Sequence, residues 1–256
     1  MQLSAQQLDQ LDQNGFLILH DAFSNDEVDL LRSQMPSLMS EECAENQREA
    51  EGGAVRNLMS LHRRNPVYAR LVRHPRMVKV AEQLLGEGVY AQQVKINAKE
   101  GFEGAGFDWH TDFGTHSKRD GVEKPLALNF HIFLDEVTEF NGPLWFVPGS
   151  HKDDIELRKS VDGQKWELWT VPREVVKEVV ERRGLVSAKG KRGTMLIFVD
   201  KLLHVSAPNI SPYPRWIFSL ILNAVSNPAK NDVPEVAHER DRTAITALAD
   251  NCLTAA

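Results

Sequence analysis

The feature that most limits the fold is a change of texture after Gly86. From there VYAQQVKIN (89–97), LALNFHIFL (126–134), PLWFVPG (143–149), GTMLIFV (193–199) and WIFSLIL (216–222) are apolar or alternating runs, separated by Gly, Pro, Asn and charged turns. Short runs of this kind are the signature of strands. Before Gly86 the period is helical. Ser4 to Asn14 carries Leu8 and Leu11 and stops at Asn14-Gly15, FLILH reads as a short buried strand, and Ser24 can cap a helix that Pro36 disturbs. Pro66 to Leu85 places Val67, Leu71, Val78, Ala81 and Leu85 on one stripe, which His74-Pro75 divides into two helices. The expected architecture is mainly β with flanking helices, a largely antiparallel barrel or double sheet. One domain is expected: a helical part over about 1–86, the β core over about 87–226 and a tail from 227 to 256 in which RTAITALAD forms a short helix. Residues 40–57 are polar with a Gly pair and read as a mobile loop, either a lid or a solvated linker.

Composition matters here mainly for what it excludes. With 42% hydrophobic and 26% charged residues the chain can build a core, and its net charge of −6, with the signs well mixed, does not suit a run of phosphates. Nucleic acid is therefore not expected as a partner. Two cysteines, Cys43 and Cys252, form no metal-binding spacing and read as reduced thiols. The opening MQLSAQQLDQ lacks the features of a secretory signal, and no apolar run approaches the ~18 residues of a membrane span. A cytoplasmic protein with a small-molecule substrate, as monomer or homodimer, is the expectation.

Two His-x-Asp triplets carry the possible chemistry, His110-Thr111-Asp112 and His151-Lys152-Asp153. On a strand, residues i and i+2 face the same way, so such a pair can bind one metal ion together. A further histidine completes a two-histidine, one-carboxylate triad with open positions, the donor set of non-haem Fe(II). The first triplet lies in GFDWHTDFG, where aromatics and glycines fit a strand end opening into a cavity. The second follows PGS and runs into a charged segment, so His151 reads as structural. His204, after the GTMLIFV run, is the third candidate ligand. Arg215 follows at the start of the next apolar strand, and a hairpin would bring it back towards His204. A buried arginine there can hold a carboxylate bidentately, as anchoring a dicarboxylate cosubstrate requires. Its alternative is a surface arginine beside a proline.

The set WHTD, NGPLWFVPGSH and HVSAPNISPYPR resembles the Fe(II)/2-oxoglutarate dioxygenases of the phytanoyl-CoA hydroxylase superfamily, and within it the ectoine hydroxylases and the bacterial hydroxylases of free proline and leucine. HRRNPVYARLVRHPR and VYAQQVKINAK extend the likeness, which runs from about residue 5 to 245. The resemblance implies a double-stranded β-helix, or jelly roll, with iron bound inside by His110, Asp112 and His204. It also implies that Arg215 binds the distal carboxylate of 2-oxoglutarate, with Ser206 nearby and Asn97 in contact, and that Gln93 lies near substrate. Because Asp112 is present where related halogenases have a small residue, hydroxylation of an unactivated C–H bond by O2 is the implied reaction, with succinate and CO2 as co-products.

Two positions depart from the family pattern. His116 stands where ectoine hydroxylases have an aromatic substrate wall, and His131 where the amino-acid hydroxylases have a small residue. Gln93, Lys95 and Asn97 alternate on one face of a strand, as do Asn129 and His131 on another. With His116 and His131, Lys95 would suit an anionic group such as a carboxylate or phosphonate. The alternatives are a solvated strand face for the first set, a core histidine for His131 and an exposed loop residue for His116. Three functions remain in view: a hydroxylase of a small amino acid or similar polar metabolite, the same chemistry on a phosphonate or natural-product intermediate, and a metal-binding jelly roll without oxygen chemistry. Arg215 argues against the last.

Overall fold

The computed structural model describes residues 1–50, 53–159, 168–234 and 239–254. The N-terminal elements are α1 (Ala5–Asn14), β1 (Phe16–Leu19), α2 (Asn25–Ser33), α3 (Met35–Ser40), β2 (Asn46–Arg48), β3 (Val55–Met59), α4 (Leu61–Arg64), α5 (Pro66–Val72) and α6 (Pro75–Leu85). There follow β4 (Val89–Lys99), β5 (Phe107–His110), α7 (Asp112–Lys118), β6 (Leu128–Phe133), β7 (Leu144–Phe146), β8 (Arg158–Lys159) and β9 (Trp169–Thr170). The remainder is α8 (Arg173–Arg183), β10 (Val186–Ala188), β11 (Met195–Val199), β12 (His204–Ser206) and β13 (Arg215–Ala224). Local chemistry sets the helix ends. Ser4 and Ser24 each form a reciprocal capping box with the side chain three residues on, Gln7 and Glu27, and Gly15 closes α1 with a φ of +80°. Pro66 and Pro75 open their helices, where the missing N–H costs nothing.

Two antiparallel sheets result, one ordered β1-β11-β6-β13-β4-β3-β2 and the other β10-β7-β12-β5-β9-β8. This is a jelly roll flanked by helices. Strand alternation divides the large sheet into two faces. Val94, Ile96, Phe130, Ile132, Phe218 and Leu220 point outward and share a core with Leu31, Tyr68, Leu71, Met77 and Val78 of the helices. Burial of each such large side chain stabilises by about 1.5–3 kcal/mol. Phe133, Leu196, Phe198 and Ile217 point inward and meet Leu144 and Phe146 of the small sheet. Beyond that apolar plug the space between the sheets becomes polar, and the candidate site lies there.

Three expectations are corrected. The polar stretch 40–57 is not a loop: β2 and β3 form a hairpin, and β3 adds to the sheet edge with Asn57 opposite Asn97 and Met59 opposite Lys95. Glu49, Arg56 and Asn57 of this stretch face the cavity, and Asn46 secures the hairpin by donating to the carbonyls of Leu38 and Glu41 at 2.7 Å each. Residues 51 and 52 lie outside the described residues. RTAITALAD is not helical. Its amides bond to other elements, Ile245 N–H to the Val89 carbonyl and Leu248 N–H to that of Arg73, so the segment straps the helical layer instead of coiling on itself. Within the tail, 235–238 and 255–256 lie outside the described residues. Finally, β12 and β13 do not form a hairpin, because they belong to different sheets. Asn209 directs the crossover: its Nδ2 donates to the carbonyls of Lys99, Glu100 and Tyr213, and its Oδ1 accepts from Ser211.

Candidate metal and cosubstrate site

His204 on β12 lies directly opposite His110 on β5, with ring centroids 4.1 Å apart. Asp112 arrives differently from the expectation that His and Asp share a strand face. The strand ends at His110, Thr111 caps α7 by accepting from Gly114 N–H, and Asp112 is the first residue of that helix. Phe113 N–H donates to the Asp200 carbonyl at 2.9 Å and ties α7 to the end of β11. One donor atom from each of His110, Asp112 and His204 lies within 4.8 Å of the others, and this is the metal-competent group found among the described residues.

The donors are oriented for a cation. His110 Nδ1 lies 2.7 Å from the Asp108 carbonyl and His204 Nδ1 2.9 Å from that of Leu202, contacts that turn each Nε2 towards the centre. Asp112 Oδ2 accepts from Asn129 at 2.9 Å, while Oδ1 lies 3.4 Å from His110 Nε2. Burial, reinforced by His110, pushes His204 down to about 4. Burial opposes ionisation of Asp112, yet the His204 and His110 rings hold it well below the usual carboxylate range. Neutral imidazole and ionised carboxylate are the forms that bind metal, so the donor set fits iron.

Arg215 opens β13 on the facing sheet and is only 2% exposed. Its Nη2 donates to Ser206 Oγ at 3.1 Å and its Nε has no protein partner. Among the described residues no carboxylate forms an ion pair with it. Burial lowers its pKa to about 10. A guanidinium so placed is costly unless an anion joins it, and a carboxylate matches its fork. This is the observation that fits 2-oxoglutarate to the site.

Both groups open on one cavity, whose empty space is about 720 Å³ with the open solvent at its entrance included. Its walls include the triad, Arg215, Ser206, Asn97, Lys95, Asn129 and His131. Gln93 is not among the lining residues; its Oε1 accepts from Lys95 at 2.7 Å. Nor does His116 line the cavity. It is buried on α7 with Nδ1 2.8 Å from Asp200, a partner that outweighs burial and raises its pKa, so the exposed-loop alternative does not hold either. His151 packs at the end of α1, with Nε2 3.0 Å from the Asp12 carbonyl.

Five polar lining residues escaped the sequence reading: Glu49, Arg56, Asn57, Lys99 and Ser219. Two were within reach of counting by twos, since Lys99 continues the series 93, 95, 97 and Ser219 continues from Arg215 along β13. Glu49 and Arg56 were hidden by the loop reading. Their ion pair, at 2.8 Å, joins the β2–β3 hairpin to the 105–106 segment through Ala105 N–H and the Gly106 carbonyl.

A jelly roll holding a His-Asp-His cluster beside a buried, anion-seeking arginine defines the class of iron- and 2-oxoglutarate-dependent oxygenases. The family model for phytanoyl-CoA dioxygenase (PhyH) matches residues 11–217, and the chain belongs to that family. It is 36% identical over 239 residues to an ectoine dioxygenase from Sphingopyxis alaskensis, an alignment covering 88% of this chain and 77% of the relative. An L-proline trans-4-hydroxylase from Streptomyces griseoviridis is 35% identical over 244 residues, covering 91% of both chains. The crystal structure of EctD from S. alaskensis with 2-oxoglutarate and 5-hydroxyectoine superposes with a TM-score of 0.86 at 33% identity, covering 96% of this chain and 87% of that one. The same enzyme has also been solved with bound Fe. The chain is thus an Fe(II)- and 2-oxoglutarate-dependent dioxygenase that uses O2. No helix among the described residues is long and apolar enough to cross a membrane.

Proposed function

We propose that the enzyme hydroxylates an unactivated C–H bond of a small free amino acid or a close derivative. Arg215, buried beside the triad with no carboxylate partner among the described residues, carries the site assignment, and the names of the two relatives, an ectoine dioxygenase and a proline hydroxylase, support the substrate class. His110, Asp112 and His204 hold iron. Arg215 and Ser206 take the distal carboxylate of 2-oxoglutarate, and Asn97 lies alongside it. When bound, iron with 2-oxoglutarate and O2 supplies the oxidising power to break a C–H bond, yielding succinate and CO2.

The protein's part is position and exclusion of water. Asn129 fixes one Asp112 oxygen and thereby leaves the other to the metal. Lys95, Asn129 and His131 face substrate from the large sheet, with Gln93 supporting Lys95. The Glu49–Arg56 pair closes the rim. We read the chain as one catalytic domain, monomeric or homodimeric, in the cytoplasm, a compartment that suits its two unpaired cysteines. Anaerobic titration with Fe(II) and 2-oxoglutarate, followed by O2 and an amino-acid panel that includes ectoine, tests the reading. Substrate-dependent succinate is expected; a visible chelate band with no succinate above background for any amino acid or derivative would reject the substrate class.

A further inference from the structure

Three chain segments meet at the metal site. β5 and α7 carry His110 and Asp112, β6 carries Asn129, which holds Asp112, and residues 200–204 lead from the end of β11 to His204. Asp200 begins the last of these and bonds to the other two. Its N–H donates to the carbonyl of Ala127, just before β6, at 3.2 Å, and its carbonyl accepts from Phe113, the residue after Asp112. Its Oδ1 lies 2.8 Å from His116 Nδ1, one helical turn beyond Asp112 on α7. Downstream, Leu202 N–H closes a turn onto the Val199 carbonyl, and the Leu202 carbonyl orients the His204 ring.

The helix held in this way needs outside support. α7 is seven residues long, far short of the length at which a helix is stable alone. Asp200 grips both ends of its first turn, by the backbone at Phe113 and by the side chain at His116. That second contact is costly to bury. Asp200 is fully buried, its Oδ2 has no hydrogen-bond partner among the described residues, and His116 is only 6% exposed. Burial opposes a charge on His116, yet Asp200, aided by Asp112 and Asp120, raises its pKa and keeps the ring a donor to the carboxylate. Packed apolar side chains of similar volume would serve stability as well or better. What they would not supply is direction, since apolar contact is non-directional whereas a charge-assisted hydrogen bond fixes distance and angle. Neither residue lines the cavity.

We infer that His116 and Asp200 are positioning residues for the metal centre: their bond sets the first turn of α7, and with it Asp112, at a fixed place relative to His204. Neither touches metal or substrate. The inference rests on His110, Asp112 and His204 as the iron ligands and adds the device that keeps two of them in register. It gives His116 a task at the metal in place of the substrate contact that its sequence position implied.

The test reads metal binding by the ligand-free enzyme, not turnover, with Co(II) as the probe because its visible d–d bands report ligand geometry. His116→Ala and Asp200→Ala should each weaken Co(II) about tenfold and shift those bands. Because both act through one bond, the double alanine variant should bind within about twofold of the weaker single one. His116→Asn, whose amide N–H replaces that of Nδ1, should restore Co(II) affinity to within about threefold of wild type. Gly15→Ala, destabilised away from the site, should bind Co(II) as wild type does. Alanine variants that bind within about twofold of wild type, with unchanged bands, would overturn the inference. An equal loss in Gly15→Ala would also overturn it, because the effect would then follow from lost stability alone. Should the alanine variants not fold, His116→Leu/Asp200→Leu replaces the pair by apolar packing; it is expected to match wild type in urea unfolding yet to bind Co(II) about tenfold more weakly. Wild-type affinity in that variant would overturn the inference. If His110→Ala keeps wild-type Co(II) binding, the ligand assignment falls and this inference with it. If His110→Ala loses Co(II) while the variants at 116 and 200 keep it, this inference alone falls.

Discussion

His110-Thr111-Asp112 and His151-Lys152-Asp153 are the same pattern with opposite fates. In the first, a strand ends at the histidine and a helix begins at the aspartate, so both side chains converge on His204 from the opposite strand. In the second, the three residues span a 3-10 turn and its end, and the side chains diverge: His151 reaches back to the Asp12 carbonyl, while Asp153 pairs with Arg182 and Arg183 at the end of α8. One triplet is a chelate and the other a clip between elements. Their difference teaches that His-x-Asp is a metal site only where both side chains converge on a third donor, which is a property of the surroundings.

The comparison can be broken most severely at the metal. His110→Ala, Asp112→Ala and His204→Ala should each reduce turnover at least about 1,000-fold and abolish the anaerobic chelate band, whereas His151→Ala retains both. Loss of the band in His151→Ala with retention in His110→Ala would invert the assignment. Next in size is Arg215→Met, expected to raise the 2-oxoglutarate Kd about 100-fold in calorimetry while Fe(II) alone binds as before. Since Arg215 is a buried cation without an ion-pair partner among the described residues, the ligand-free variant should be at least as thermostable as wild type, which a melting curve checks.

The clip should answer to stability alone. A Cβ at Gly15 would stand 2.5 Å from His151 Nδ1, on a residue whose φ is +80°, so Gly15→Ala should cost about 1–3 kcal/mol in urea unfolding and leave Fe(II) affinity unchanged. Asp153→Asn is the smallest expected effect, about 0.5–1 kcal/mol for a pair near the surface. Its sign with pH is fixed by the hydrogen bond from Arg183, which lowers the folded-state pKa below the ordinary 3.8. The Asp153 contribution is therefore complete above the ordinary value and lost as pH falls through the lower folded one. Wild type and Asp153→Asn should converge in stability in acid and differ at neutral pH.

Much of the fold was legible because its signals are local. Capping serines, Pro66, Pro75 and Gly15 mark helix ends by the hydrogen bonds they make or lack, and the alternation of β4 and β6 announces sheets with unlike faces. The hairpin at 46–59 was not legible: polar residues facing a wet cavity read the same as polar residues facing solvent. The extended strap at 242–250 was missed for a related reason, since its amides are satisfied by Val89 and Arg73, far away in the chain. In the site, the triad and Arg215 were read from residue type and order, but Ser219 and Lys99 acquire meaning only when neighbouring strands set them beside His131 and Arg215.

The sequence by itself determined which donors exist, the periods that sort them onto faces and the family to which the motifs belong. Tertiary structure decided that β12 and β13 lie in opposite sheets, so that Ser206 and Arg215 meet across the cavity, and that His116 pairs with Asp200 away from it. Period and residue chemistry are carried by the local chain, whereas convergence on one cavity depends on how two sheets pack over contacts distant in sequence.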